Sequence, residues 1–187
     1  ATARRLFEEA LAISREEGDK AGIVRSLSNL ADNARFLGEY ERATALYHEC
    51  LDLDRALQNA EGLAVRLHNL GHIALQRGAT DRAAALFGKS LGIYRRLDHR
   101  HGLLTTVEGL AGVAAATGRA DRAARLFAAA ATLREKLAAP VDPVDRPELA
   151  RRRDDARRAL GEGAFAAAWA AGGALSLAEA RDEALAP

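Results

Sequence analysis

The chain has no methionine, one cysteine and four prolines, all at or after Pro140, and only ten of its 187 residues are valine or isoleucine. So few β-branched residues argue against strands. The lone Cys50 excludes an intramolecular disulfide and any cysteine-rich zinc motif, and it fits a reducing compartment. No apolar run approaches the roughly 20 residues that cross a bilayer. Residues 1–20 carry acidic groups where a signal peptide would be apolar, so the expected location is cytoplasmic, with no membrane partner. Charge of one sign is also lacking: 27 Lys and Arg against 26 Asp and Glu leave a formal +1, which removes the electrostatic basis for direct nucleic-acid binding. With 49% hydrophobic residues the chain is not of the disordered class either. What remains in abundance is Ala, Leu, Arg and Glu, the composition of an all-α protein.

The sequence repeats. RRLFEEALAI, starting at Arg4, returns as TALYHECLDL, AALFGKSLGI and ARLFAAAATL at intervals of forty. Leu6, Leu46, Leu86 and Leu126 coincide, as do Phe7, Tyr47, Phe87 and Phe127. A second set follows the same register: Gly22, Gly62 and Gly102; Leu30, Leu70 and Leu110; Gly38, Gly78 and Gly118. Apolar spacings of three and four within each unit mark two amphipathic helices, with Gly38, Gly78 and Gly118 ending the first of each pair. The pattern predicts helices over 2–17, 20–37, 40–57, 60–77, 80–97, 100–117 and 120–138. A helical hairpin cannot bury both of its apolar faces alone, so the units must stack into a solenoid with a concave and a convex surface.

Leu27, Leu30, Ala31, Ala34, Gly38, Ala43, Tyr47 and Cys50 follow the order of small and large positions in the tetratricopeptide repeat, and the chain resembles that family. Leu67 to Ser90 and Val107 to Ala130 repeat the series. The resemblance implies a right-handed α-solenoid of antiparallel hairpins, here with a 40-residue period against the family's usual 34. The family's closing proline is replaced by Arg55 and Arg95, which fits longer second helices. Two regions are expected: residues 1–139 with an orphan helix 2–17 and three hairpins, and residues 140–187 with a degenerate fourth hairpin and a capping helix. Helix 2–17 matches only the second helix of a unit, so its partner is expected upstream of Ala1. Ser176 and Glu179 form a capping-box pattern for the last helix, whose apolar side is expected on Trp169.

The tail ALGEGAFAAAWAAGGALSLAEA, residues 159–180, resembles the segment closing the tetratricopeptide region of large bacterial LuxR-type and AfsR-like ATP-binding transcriptional regulators. That resemblance implies a sensor region within such a regulator. Alternatives are a free-standing scaffold or the repeat region of an adenylate or guanylate cyclase. No NTPase or DNA-binding motif lies within these residues.

Candidate chemistry is sparse. His68 and His72, in HNLGH, put two imidazoles on one helix face, but without a third ligand the reading is polar groove lining, and no metal or other cofactor is expected. His99 and His101 fall at a hairpin connection and receive no role. Cys50 and Ser90 share a small buried position with Ala130, which makes them packing residues, and no nucleophile has a base. No catalytic residue is assigned and the segment is read as not an enzyme. Arg146 to Arg158 is interleaved with acids and reads as a solvated face, and Phe165 with Trp169 as a seal on the last hairpin. In tetratricopeptide proteins the first helix of each unit lines the concave groove. That mapping makes Arg25, Asn29, Asp32, His68, Asn69, His72 and Glu108 the expected contacts to a protein or peptide ligand. A chaperone-tail clamp would need lysine where Ser28 and His68 stand. The exposed end of the solenoid is a further site for homodimer formation.

Overall fold

Ten helices carry almost all of the chain in the computed structural model, which describes residues 2–141, 143 and 145–186. They are α1 (Thr2–Glu16), α2 (Lys20–Phe36), α3 (Tyr40–Ala56), α4 (Ala60–Gln76), α5 (Thr80–Arg96), α6 (Arg100–Ala116), α7 (Ala120–Leu137), α8 (Arg146–Leu160), α9 (Glu162–Gly173) and α10 (Leu177–Leu185). The first seven start where the repeat predicts and end one residue sooner. No strand occurs among the described residues, and no described helix is long and apolar enough to cross a membrane.

The period is finer than forty. At every joint from α1 to α7 the backbone N–H five residues beyond a helical carbonyl closes onto it: Asp19 to Ser14, Glu39 to Ala34, Asn59 to Asp54, Ala79 to Ala74, His99 to Tyr94, Arg119 to Ala114 and Ala139 to Arg134, all at 2.8–3.0 Å. This is the left-handed C-terminal cap, and it needs a positive φ just before the donor. Gly18, Gly38, Gly78 and Gly118 supply it, and Gln58, Asp98 and Ala138 adopt it with φ of 53°, 49° and 49°. The forty-residue glycine signal, Gly38, Gly78 and Gly118, marks three of the seven joints, and Gly18 stands at a fourth.

Stacking buries the repeat positions. Leu27, Val107, Tyr47 and Phe87 are fully buried and Phe127 nearly so. A methyl group on Gly71 would sit 2.8 Å from the Phe87 ring and one on Gly109 would sit 2.6 Å from it, so α4 and α6 close around that ring only because both residues lack a Cβ. Cys50 and Ser90 are packing residues: the thiol lies 3.8 Å from the Val24 carbonyl, and the Ser90 hydroxyl donates to the Ala64 carbonyl at 2.8 Å.

Beyond Leu137 the regular pattern ends. α9 packs chiefly on α7, and only lightly on α8. Gly172 allows the approach, since a Cβ there would meet the Arg125 backbone. The Ser176–Glu179 capping box is formed, but α10 rests on α6 and α7, with Ala180 and Ala184 in their core, while Trp169 stacks on Phe165. Small alanine faces fit a helix closely against helices, whereas the indole already has an aromatic partner.

Candidate functional site

The concave side holds a cavity of about 730 Å³. α2 contributes Asp32 and Arg35, α4 contributes Val65, His68, Asn69 and His72, and α6 contributes Thr105 and Glu108. One face of each first helix thus looks onto the same space, because successive first helices stack side by side. Five of the seven expected groove residues meet here: Asp32, His68, Asn69, His72 and Glu108. Arg25 is exposed and Asn29 half-buried, and neither lines the cavity, being one or more turns nearer the α2 N-terminus.

The groove is partly filled by the protein itself. The connection between α7 and α8 crosses it, bringing Pro140, Val141, Pro143 and Asp145 to the cavity wall. Arg134 donates to the carbonyls of Ala139 at 3.2 Å and Pro140 at 2.9 Å, and its guanidinium also grips Glu108 through both carboxylate oxygens. Arg35 donates to Asp145 at 2.6 Å, and both side chains are largely buried. Arg152, expected on a solvated face, is instead buried, pairing with Glu148 at 2.5 Å and donating to the Leu75 carbonyl at 3.2 Å. Its neighbours Arg151 and Arg158 do form the expected surface pairs, with Glu148 and Asp155.

Internal partners already occupy several groove side chains. The Tyr47 hydroxyl donates to Asp32 at 2.5 Å, and the Asn69 amide reaches both Asp32 and the Tyr47 oxygen at 3.2 Å. Burial, reinforced by the Asp32 carboxylate, holds the Tyr47 phenol far above its usual range. His68 and His72 contact edge to face at 4.6 Å, and both abut the Phe87 ring. Desolvation pushes both imidazoles below their ordinary pKa, with mutual repulsion adding at His68.

His99 and His101 also line the cavity, so the loop reading misses their setting. His99 Nδ1 accepts from the Gly102 N–H at 2.9 Å, capping α6 as Asn59 caps α4, and its ring stacks on Tyr94. Four of the chain's five histidines therefore converge on one space. Asp145 carries no mark in the sequence because it lies beyond the last regular unit. A smaller, mostly apolar depression of about 450 Å³ lies on α8 and α9 beside Phe165 and Trp169, fed by no repeat position.

Comparison with known proteins agrees with this architecture. Two tetratricopeptide-repeat family profiles match, over residues 1–56 and 63–97. The crystal structure of BtubC (BKLC) from P. vanneervenii is similar, with a TM-score of 0.69 at 23% identity over 91% of this chain and 69% of that one. At that identity the likeness concerns the fold alone. No curated protein sequence matches.

Proposed function

We propose that this tetratricopeptide-like chain binds a short protein or peptide segment in its concave groove without catalysing a reaction, and that it is the sensor region of a bacterial transcriptional regulator of the signal-transducing ATPase type. Tetratricopeptide repeats are protein-interaction modules, and the observation that carries the groove assignment is the convergence of Asp32, His68, Asn69, His72 and Glu108 from three successive first helices on one cavity. With Asp32, Asn69 and Glu108 internally paired, a ligand must bring backbone donors and acceptors that exchange with those pairs. It must also share the groove with Pro140, Val141, Pro143 and Asp145, so binding favours whichever position of these residues leaves more room.

Support for the regulator context is the resemblance of residues 159–180. Leu6 and Ile13 on α1 are 51% and 55% exposed, whereas their counterparts Leu46, Leu86, Leu53 and Ile93 are partly covered. That face suits a neighbouring helix or a second copy. No direct nucleic-acid contact is assigned to this segment, since Arg151, Arg157 and Arg158 are matched by acids.

Peptides selected for binding to the chain test the groove. Thr105→Arg, which fills the cavity from its wall, is expected to weaken them about tenfold or more, a loss of about 1.4 kcal/mol. Asp52→Ala on exposed α3 surface is the control. Peptides insensitive to Thr105→Arg refute the groove. For the regulator context, the flanking coding sequence should contain a phosphate-binding loop and a DNA-binding domain, and a frame encoding only the repeats refutes it.

A further inference from the structure

His68 and His72 turn their Nε2 atoms toward each other at 3.1 Å, and the groups behind the rings determine what those atoms carry. The Thr106 hydroxyl donates to the Gly102 carbonyl at 2.8 Å, so toward His68 Nδ1, 3.5 Å away, its oxygen can only accept. The nearby Ser90 hydroxyl is likewise committed to the Ala64 carbonyl. On the other ring, Nδ1 faces the Asp145 carboxylate at 3.9 Å. With one ring protonated at Nε2 the pair is a hydrogen bond, and with both protons on Nδ1, on the sides of Thr106 and Asp145, two Nε2 lone pairs converge on one point. In the second arrangement a cation between the rings is shared by both lone pairs.

We propose that His68, His72 and Asp145 form a binding site for a first-row divalent ion of the zinc class. One ligand atom from each residue lies within 4.8 Å of the other two. Tetrahedral bonds of about 2.0–2.1 Å place ligands about 3.3 Å apart, so the nitrogens stand nearly in place and Asp145 closes by a small side-chain movement. Two imidazoles and one carboxylate select zinc, cobalt or nickel over magnesium and calcium. Thr106 behind His68 and Arg35 on Asp145 orient the ligands from outside, as such partners do in metal sites. The nearby cations Arg35, Arg134 and Arg152 are each paired with an acid, and Asp32, hydrogen-bonded by the neutral Tyr47 and Asn69, adds a further carboxylate to the same groove. The remaining coordination position faces the cavity and takes water. The ion ties α4 to the segment crossing the groove. This assignment does not depend on peptide binding.

The test uses the whole chain, stripped with a chelator and titrated with Co²⁺ and then Zn²⁺. One equivalent of Co²⁺ should give visible d–d absorption that Zn²⁺ abolishes, with a rise in Tm saturating at the same ratio. His68→Ala and His72→Ala should each lose the saturable signal and Asp145→Asn should weaken it about 10–100-fold, while His48→Ala and His99→Ala leave it intact. Should the alanine variants not fold, Co²⁺ on the unmodified chain decides: paramagnetic shifts must centre on the Phe87 ring and the Thr106 methyl. Absence of saturable binding, binding that survives loss of both histidines, or shifts centred on His48 or on His99 and His101 overturns the site.

Discussion

Replacing Gln58 by glycine should stabilise the protein, although every direct contact of the side chain is lost. Gln58 is exposed and holds φ at 53° in the cap that ends α3. The left-handed conformation costs a residue with a Cβ about 1–2 kcal/mol, and glycine removes that cost. Its greater freedom in the unfolded chain takes back about 0.4–1 kcal/mol, which leaves a net gain of about 0.5–1 kcal/mol. For a chain of this length that corresponds to a rise in Tm of about 1–4 °C. Asp98 has φ of 49°, but aspartate tolerates this region, so Asp98→Gly should change stability by no more than about 0.5 kcal/mol. The mirror experiment is Gly78→Ala. A Cβ there meets nothing within 4 Å, so only the backbone conformation with φ of 74° opposes it, and a loss of about 0.5–1 kcal/mol is expected. Thermal and urea unfolding of the three variants alongside the parent reads these differences. A lower Tm for Gln58→Gly, or an unchanged one for Gly78→Ala, would refute the idea that one strained cap recurs every twenty residues.

Three further outcomes follow from the packing and electrostatics of the groove. Glu108→Ala leaves Arg134 buried without its carboxylate and should cost about 3–5 kcal/mol in urea unfolding, whereas Glu108→Leu combined with Arg134→Met should restore much of the loss. Phe87→Ala empties the space between α4, α5 and α6 and should cost about 3–5 kcal/mol by the same measurement; a loss below about 1 kcal/mol would mean that the helices close over the gap. The third outcome is a pH effect. His68, His72 and His101 have folded pKa values below their unfolded ones, with desolvation the leading cause at each, so the unfolded chain binds more protons near pH 6. Stability of the metal-free protein should therefore fall as pH drops from about 7 toward 5, and His72→Gln should flatten that slope in urea titrations across the range.

What could be read in the sequence is what the repeat enforces locally. Leu30, Leu70 and Leu110 recur because each faces the same neighbouring turns, and Gly38, Gly78 and Gly118 recur because each ends a helix with the same backbone geometry. Gln58, Asp98 and Ala138 obey the same geometry with a different side chain, so a search for identical residues passes over them, though counting in twenties from Gly18 would have found them. The groove behaves likewise. His68 and His72 share a face because four residues make about one turn, but the meaning of that face depends on Asp145. Asp145 lies in the proline-interrupted connection where the repeat has ended, and Arg35, which holds it, lies 110 positions earlier. No spacing rule joins two such residues. Their meeting is a property of the stacked solenoid, whose curvature brings the α7–α8 connection back over α2 and α4. The chemistry of this groove thus depends on where a non-repeating segment falls on a repeating frame, so substitutions at Asp145 should alter the site while leaving the seven repeat helices intact.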